Sequence, residues 1–263
     1  MSENHVITAL DAGVLTLRMT RLDKKNALTQ AMYTAMAEAI EAANSDNQVR
    51  ALLIAGDANC FCAGNDLMDF MNSAPQPGQS PVERFMRALA AFEKPVVAAV
   101  GGVAVGIGVT MLLHCDLVYC GEKTKLSMPF VSLGICPEFA SSYVLPRLMG
   151  HVRAAELILL GEPFTAETAL QYGLVNALLP NEQVEAKALE KARHLAAQPP
   201  RAMRISKRLL KRWIAATATE ALDYEAGYFI PMLKQAEAIE SISAFMQKRK
   251  PDYSRIDYSG LKD

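Results

Sequence analysis

The run PVVAAVGGVAVGIGVTMLL, from Pro95 to Leu113, constrains what this chain can fold into more than any other stretch. It is nearly long enough and apolar enough to span a bilayer. Yet it begins with proline and carries Gly101, Gly102, Gly106 and Gly108. Glycines at that density disfavour a continuous helix, because each adds backbone entropy that ordering must remove. The run therefore reads as a buried strand, a turn and a buried helix rather than a membrane span.

The flanking segments extend this pattern. GVLTLRMTR (Gly13–Arg21) alternates apolar and polar residues, as a half-buried strand does. TQAMYTAMAEAIEAANSD (Thr29–Asp46) sets Met32, Met36, Ile40 and Ala43 along one helical face. VRALLIAG is a mostly apolar strand ending at Gly56. A loop rich in Ser, Pro and Gly at 73–81 leads into VERFMRALAAFE, again helical. Pro95–Val100 is the next strand, Val109–His114 a helix, Asp116–Cys120 a strand and Lys125–Met128 a short strand. Strands alternating with helices make the class α/β. From Asn181 onward the pattern is almost wholly helical. The first of those helices is assigned to a core over 1–195, followed by a helical C-terminal region over 196–263. No repeat or low-complexity segment stands out.

Composition excludes several functions. Half of the 263 residues are hydrophobic, enough for one large core or a main domain with a helical appendage. Lys and Arg number 27 against 28 Asp and Glu, for a net charge of −1, which argues against bulk nucleic-acid binding. The five cysteines at 60, 62, 115, 120 and 136 form no CxxC pair. They read as free thiols in a reducing compartment, not as a disulfide framework or a zinc site. No basic stretch followed by an apolar one opens MSENHVITALDAG, so no secretory signal is expected and the location expected is cytoplasmic.

Candidate sites each carry two readings. GGVAVGIG lacks the Gly-Lys-Ser/Thr of a P-loop, and Met111 stands where G-x-G-x-x-G needs its last glycine. It is either a tight strand-to-helix turn or a helix N-terminus whose free N–H groups face a ligand oxygen. FCAGND (Phe61–Asp66) is either an ordinary turn or a place where Ala63 and Gly64 let a ligand approach the backbone. Arg201, Arg204, Lys207, Arg208, Lys211 and Arg212 share a helix with Ile205, Leu209, Leu210 and Trp213, and read as a solvated face. KRK at 248–250 is a phosphate contact or a solvated chain end. His114 lies in an apolar helix and reads as a core residue. Glu138, in SLGICPEFASSY, follows Pro137 among apolar neighbours. It is either a first-turn residue favouring the helix dipole or a general base in a cleft, its basicity raised by those neighbours.

Taken in order, DKKNALTQAMY, FCAGND, KPVVAAVGGVAVGIGVTMLLHCDLVYC, LSMPFVSLGICPEFASSYVLPRLMG, GEPFTAETALQYGLVNALLP and FMQKRKPDY resemble the crotonase (enoyl-CoA hydratase/isomerase) superfamily over nearly the whole chain. The resemblance implies a β–β–α spiral core, a helical C-terminal trimerisation region and a coenzyme A thioester substrate. It further implies a homotrimer or hexamer, no cofactor beyond the substrate's own coenzyme A, no metal, and neither nucleic acid nor membrane as partner. By motif match, the backbone N–H groups of Ala63 and Ile107 would hold the thioester oxygen. The family's hydratases use two glutamates, where this chain has Thr110 and Phe130. Glu138 stands where peroxisomal-type Δ3,Δ2-enoyl-CoA isomerases carry a single catalytic glutamate, and Asn65 in GND resembles the same subgroup. The implied reaction shifts a double bond by moving a proton from C2 to C4 on Glu138, in fatty acid β-oxidation. Lys24, Lys25, Lys248 and Lys250 are the implied phosphate contacts, Asp66 and Leu67 border the implied adenine pocket, and Phe130 helps exclude water. Arg21-Leu22 departs from the family's frequent Arg-Pro at that point. The rival readings are hydration or thioester hydrolysis on the same fold, and a non-catalytic acyl-CoA or RNA binder.

Overall fold

In this computed structural model residues 5–72, 80–254 and 256 are described. The chain opens with a hairpin absent from the sequence reading on its first side. Strand β1 (Val6–Asp11) pairs antiparallel with β2 (Val14–Met19). Its turn is Ala12–Gly13, both at positive φ, which suits the right-handed twist of the flanking strands. Helix α1 (Gln30–Ser45) follows, capped by Thr29, whose Oγ1 accepts from the N–H of Met32 at 3.3 Å. Met32, Met36, Ile40 and Ala43 all turn inward, as their spacing predicts, and Tyr33 joins them.

Strand β3 (Ala51–Ala55) lies parallel to β2, and the short helix α2 (Leu67–Asn72) comes after the FCAGND segment. Helix α3 (Pro81–Ala90) starts on a Ser80 cap with proline in its first turn. Of the loop expected at 73–81, residues 73–79 lie outside the described residues. Strand β4 (Val96–Val100) then pairs with β3. Every residue of β3 and β4 is buried, as in a parallel sheet covered on both faces.

The glycine-rich run holds one more element than its sequence suggested. Between β4 and the helix lies a strand, β5 (Val103–Val105), not only a turn. Gly101 and Gly102 make the corner. A Cβ on Gly102 would sit 1.7 Å from the Asn59 carbonyl oxygen, so only glycine fits there. Gly106 turns the chain into α4 (Ile107–Thr110), which tightens into a 3-10 turn over Met111–His114. Strand β6 (Leu117–Gly121) rejoins the main sheet, while β7 (Lys125–Ser127) pairs with β5. Then come α5 (Ser141–Met149), α6 (His151–Ala155), a π-helical turn at Glu156–Leu160, β8 (Phe164–Thr165), α7 (Ala166–Gln171) and β9 (Ala177–Leu179). The result is a six-stranded sheet in the order β1-β2-β3-β4-β6-β9 and a three-stranded sheet in the order β5-β7-β8.

Helix α8 (Val184–Ala196) packs Val184, Ala188, Ala192 and Ala196 against the outer face of the main sheet, on Ala51, Leu53 and Val97. Helix α9 (Pro200–Met232) crosses α3 and α5, sinking Ala218, Leu222 and Phe229 into the main core. Helix α10 (Ala236–Met246) closes on the 3-10 turn Val131–Leu133. The basic start of α9 is not simply a solvated face. Lys207 is buried, bonding the Lys94 carbonyl at 2.6 Å and Asp116 at 2.7 Å, and Lys211 bonds the His114 carbonyl at 2.9 Å. Arg204 and Arg208 both reach Glu93. The side chain of Trp213 lies outside the described residues. No helix among the described residues is long and apolar enough to cross a membrane.

Candidate active site

The glycine corner and the FCAGND segment meet at the junction of the two sheets, where Cys62 forms a bridge with Ala104 and Leu28 one with Asn65. Gly64 sits at φ 94°, and a Cβ there would stand 3.1 Å from the Val105 carbonyl oxygen. Around the second bridge, Leu28 N–H donates to the Gly64 carbonyl at 2.8 Å and Asp66 N–H donates to the Leu28 carbonyl at 2.9 Å. Peptide groups alternate direction along extended chain. The N–H between those two bonds, that of Asn65, therefore points away from Leu28, and Asn65 lines the cleft. Ile107, the first residue of α4, also lines it, and its N–H is one of the helix's orphan donors. Neither N–H finds an acceptor among the described residues.

This corrects the donor pair inferred from sequence. The N–H of Ala63 donates to the Lys25 carbonyl at 3.0 Å and is already used. Ala63 borders the cleft, but the free donor is two residues further on. The Asn65 side chain is itself anchored, its Oδ1 accepting from the Tyr33 hydroxyl at 2.5 Å. Burial holds the Tyr33 phenol well above its usual range, so it serves as a neutral donor.

Glu138 is buried at 5 % exposure. Its Oε1 accepts from the Thr110 hydroxyl of α4, while its Oε2 has no partner among the described residues. Two effects oppose each other here. Desolvation favours the neutral acid, and the Thr110 hydroxyl favours the anion. Desolvation wins, reinforced by the nearby Glu225 carboxyl, and the Glu138 acid is pushed up to about 8. Phe139 and Ala140 follow at φ 59° and 57°, a left-handed pair that costs about 1–2 kcal/mol per non-glycine residue. His114 stacks on the Phe139 ring at 4.0 Å. Burial pushes His114 down to about 4, so it is neutral. A carbonyl only accepts, so the 2.8 Å contact between His114 Nε2 and the Phe139 carbonyl puts the proton on Nε2.

The main cleft has a volume of about 570 Å³. Lys25, Ala63, Asn65, Leu67, Phe130 and Ile107 of the sequence-derived set line it. Glu138 does not. It borders a smaller, apolar cavity of about 50 Å³ between α3 and α9, and Phe229 lines both spaces. Asp66 is not among the lining residues: it pairs with Arg21 at 2.7 Å and caps α2 through the N–H groups of Met68 and Asp69. Lys24, Lys248 and Lys250 are exposed and outside the lining, and it is Arg249, between the last two, that reaches the cleft. Arg249 is held there by Glu240. Its place within KRK was visible; which of three basic residues faces inward was not. Glu225 and Phe229 were missed altogether, because nothing near them in sequence hints at a partner some 85 positions away. No group of three or more His, Cys, Asp or Glu among the described residues stands ready to hold a metal.

A family model described as enoyl-CoA hydratase/isomerase matches residues 9–255. A 1,2-epoxyphenylacetyl-CoA isomerase of Escherichia coli is 35% identical over 257 residues, covering 95% of this chain and 98% of that protein. Enoyl-CoA delta isomerase 2 of Rattus norvegicus is 35% identical over 213 residues, 79% of this chain and 54% of that one. Among solved structures, OdaA of Pseudomonas aeruginosa superposes with a TM-score of 0.91 at 49% identity, over 93% of this chain and 99% of that one.

Proposed function

This chain belongs to the enoyl-CoA hydratase/isomerase family, and we propose that within it the protein is a Δ3,Δ2-enoyl-CoA isomerase working through one carboxylate. The observation that carries this reading is the state of Glu138: one oxygen held by Thr110, the other unpartnered, in a buried site. The thioester carbonyl sits in the main cleft against the N–H groups of Asn65 and Ile107. Glu138 Oε2 takes a proton from C2, and the negative charge moves onto the carbonyl oxygen as a dienolate. The same oxygen returns the proton at C4, leaving the double bond between C2 and C3. An acid near 8 is suited to both halves, since neither taking nor giving the proton is far uphill at neutral pH. Each oxyanion donor of this kind is worth roughly 10²- to 10³-fold in rate.

Hydration requires a carboxylate to activate water and an acid to protonate the α-carbon. Thr110 and Phe130 occupy the positions that the family resemblance reserves for that pair, and Phe130 carries no proton. The acyl chain beyond C4 continues past Phe229 into the small cavity beside Glu138. The deciding experiment supplies the purified protein with 3-enoyl-CoA and trans-2-enoyl-CoA esters in parallel. Isomerisation is expected to exceed hydration by orders of magnitude, and comparable efficiencies on the two overturn the reading. The relative of Escherichia coli bears the name of an epoxyphenylacetyl-CoA isomerase, so an arylacetyl epoxide thioester belongs in the same panel.

A further inference from the structure

The left-handed pair after Glu138, Phe139 and Ala140, needs an external restraint, since neither residue is glycine. On one side that restraint is His114, stacked on Phe139 and donating to its carbonyl. On the other it is a single side chain, Glu225 of α9. The Glu225 carboxylate accepts from the Ala140 N–H at 2.6 Å, from the Ser142 N–H at 2.9 Å and from the Ser142 hydroxyl. Ala140 is the N-cap residue of α5 and has no side-chain oxygen with which to serve the helix's free donors. Glu225 supplies the missing acceptor from a distant part of the chain, and its charge suits the positive end of the helix. It is itself buried at 5 % exposure. Oε2 is taken by Ala140 and Oε1 by Ser142, so both oxygens are engaged at the start of α5, whereas Glu138 keeps Oε2 unpartnered.

We propose that Glu225 is a positioning residue for Glu138: it clamps the Phe139–Ala140 kink, and the kink directs the Glu138 carboxyl onto Thr110. The role rests on the reading of Glu138 as proton carrier. Without the clamp the two residues relax toward ordinary backbone angles and Glu138 leaves the Thr110 hydroxyl. The rate then falls because the base is misaligned, while the cleft that binds the coenzyme A portion is untouched.

The test is Glu225→Gln, which keeps the shape and one oxygen but turns an amide NH2 toward a backbone N–H, donor against donor. On a 3-enoyl-CoA its kcat is expected to fall roughly 10- to 100-fold with KM within about threefold, the signature of a displaced reacting group. A crystal structure of the variant is expected to show the kink altered and the Thr110–Glu138 bond broken. In a Thr110→Val background the same change is expected to cost little more, because the bond it protects is already gone. Unchanged kcat, an intact kink and Thr110 bond in the variant crystal, or a full additive loss in the Thr110→Val background overturns the proposal. Should wild-type enzyme turn over no 3-enoyl-CoA, the isomerase reading fails, and the variant crystal structure alone decides the clamp. Should Glu225→Gln not fold, Glu225→Asp, which keeps the charge but withdraws the carboxylate by one methylene from the Ala140 and Ser142 N–H groups, carries the same comparison: those two bonds lost with the kink and rate retained overturn the proposal.

Discussion

At the scale of single residues, Glu138 dominates what the site can do. Glu138→Gln is expected to lower isomerase kcat by about 10²- to 10⁴-fold, the range for losing a proton-transfer group, while a saturated acyl-CoA still binds in a calorimetric titration. The base must be ionised to take the C2 proton. With its acid near 8, kcat/KM is expected to rise from pH 6, reach half its plateau near pH 8 and level off about one unit above that. Stability runs the other way. The folded state holds the Glu138 proton up to about 8, against an ordinary value of 4.5. The associated stability is therefore full below pH 4.5 and lost as pH rises through 8. Glu138→Gln removes that loss, so its melting temperature is expected to exceed wild type by several degrees at pH 9, with a smaller gap at pH 5. A gap that is constant with pH, read by calorimetry, shows that Glu138 does not titrate there.

At the scale of elements, α9 does three jobs with one surface. Near its start Lys207 ties the helix to Asp116 and to the Lys94 carbonyl just before β4, further along Glu225 caps α5, and beyond it Phe229 stands between the two cavities. Lys207→Ala removes the buried partner of Asp116 and leaves the Lys94 carbonyl without its bond. It is expected to cost about 2–4 kcal/mol in denaturant unfolding, more than truncation of the exposed Arg208 beside it. Phe229→Ala widens the passage from the main cleft into the small cavity. The ratio of kcat/KM for longer over shorter 3-enoyl-CoA chains is expected to rise at least about tenfold, each buried CH₂ being worth ~0.8 kcal/mol. An unchanged chain-length profile removes the small cavity from the acyl path.

At the scale of the whole molecule, exposed apolar side chains call for a partner surface. Val152 is 79% exposed, Leu210 81%, Leu159 64% and Phe245 66%, and a neighbouring protomer would remove such side chains from water. Leu233, Ala236, Ile239, Ile242 and Phe245 recur at helical spacing in the C-terminal region, a pattern that calls for a covering surface, but the structure divides them. Ile242 is buried within its own chain, Leu233 is half-buried, and Ile239 and Phe245 remain outside. A cyclic homotrimer or a pair of trimers is the assembly expected in light scattering. A stable species of 28.6 kDa at working concentration refutes it.

What the sequence determined by itself was whatever local pattern specifies. The inward face of α1, the strand at β3, the glycine corner and the unusual place of Glu138 were all legible, because helical spacing, continuous burial and glycine density act over a few residues. β1, β8 and β9 were not legible as strands, since short segments get their pairing from strands far along the chain. The unbonded N–H fell to Asn65 and not Ala63 for a similar reason. Which N–H is free depends on the Lys25 and Leu28 carbonyls, and those arrive only when the loop before α1 folds over the segment. Glu138 was recognisable as odd, but its basicity was decided by tertiary structure: Thr110 from one element, Glu225 from another, and a desolvation that no neighbour in sequence supplies. Local pattern sets which backbone forms. Only the packed chain decides which polar groups are left unpaired, because an unpaired group is defined by everything that did not reach it.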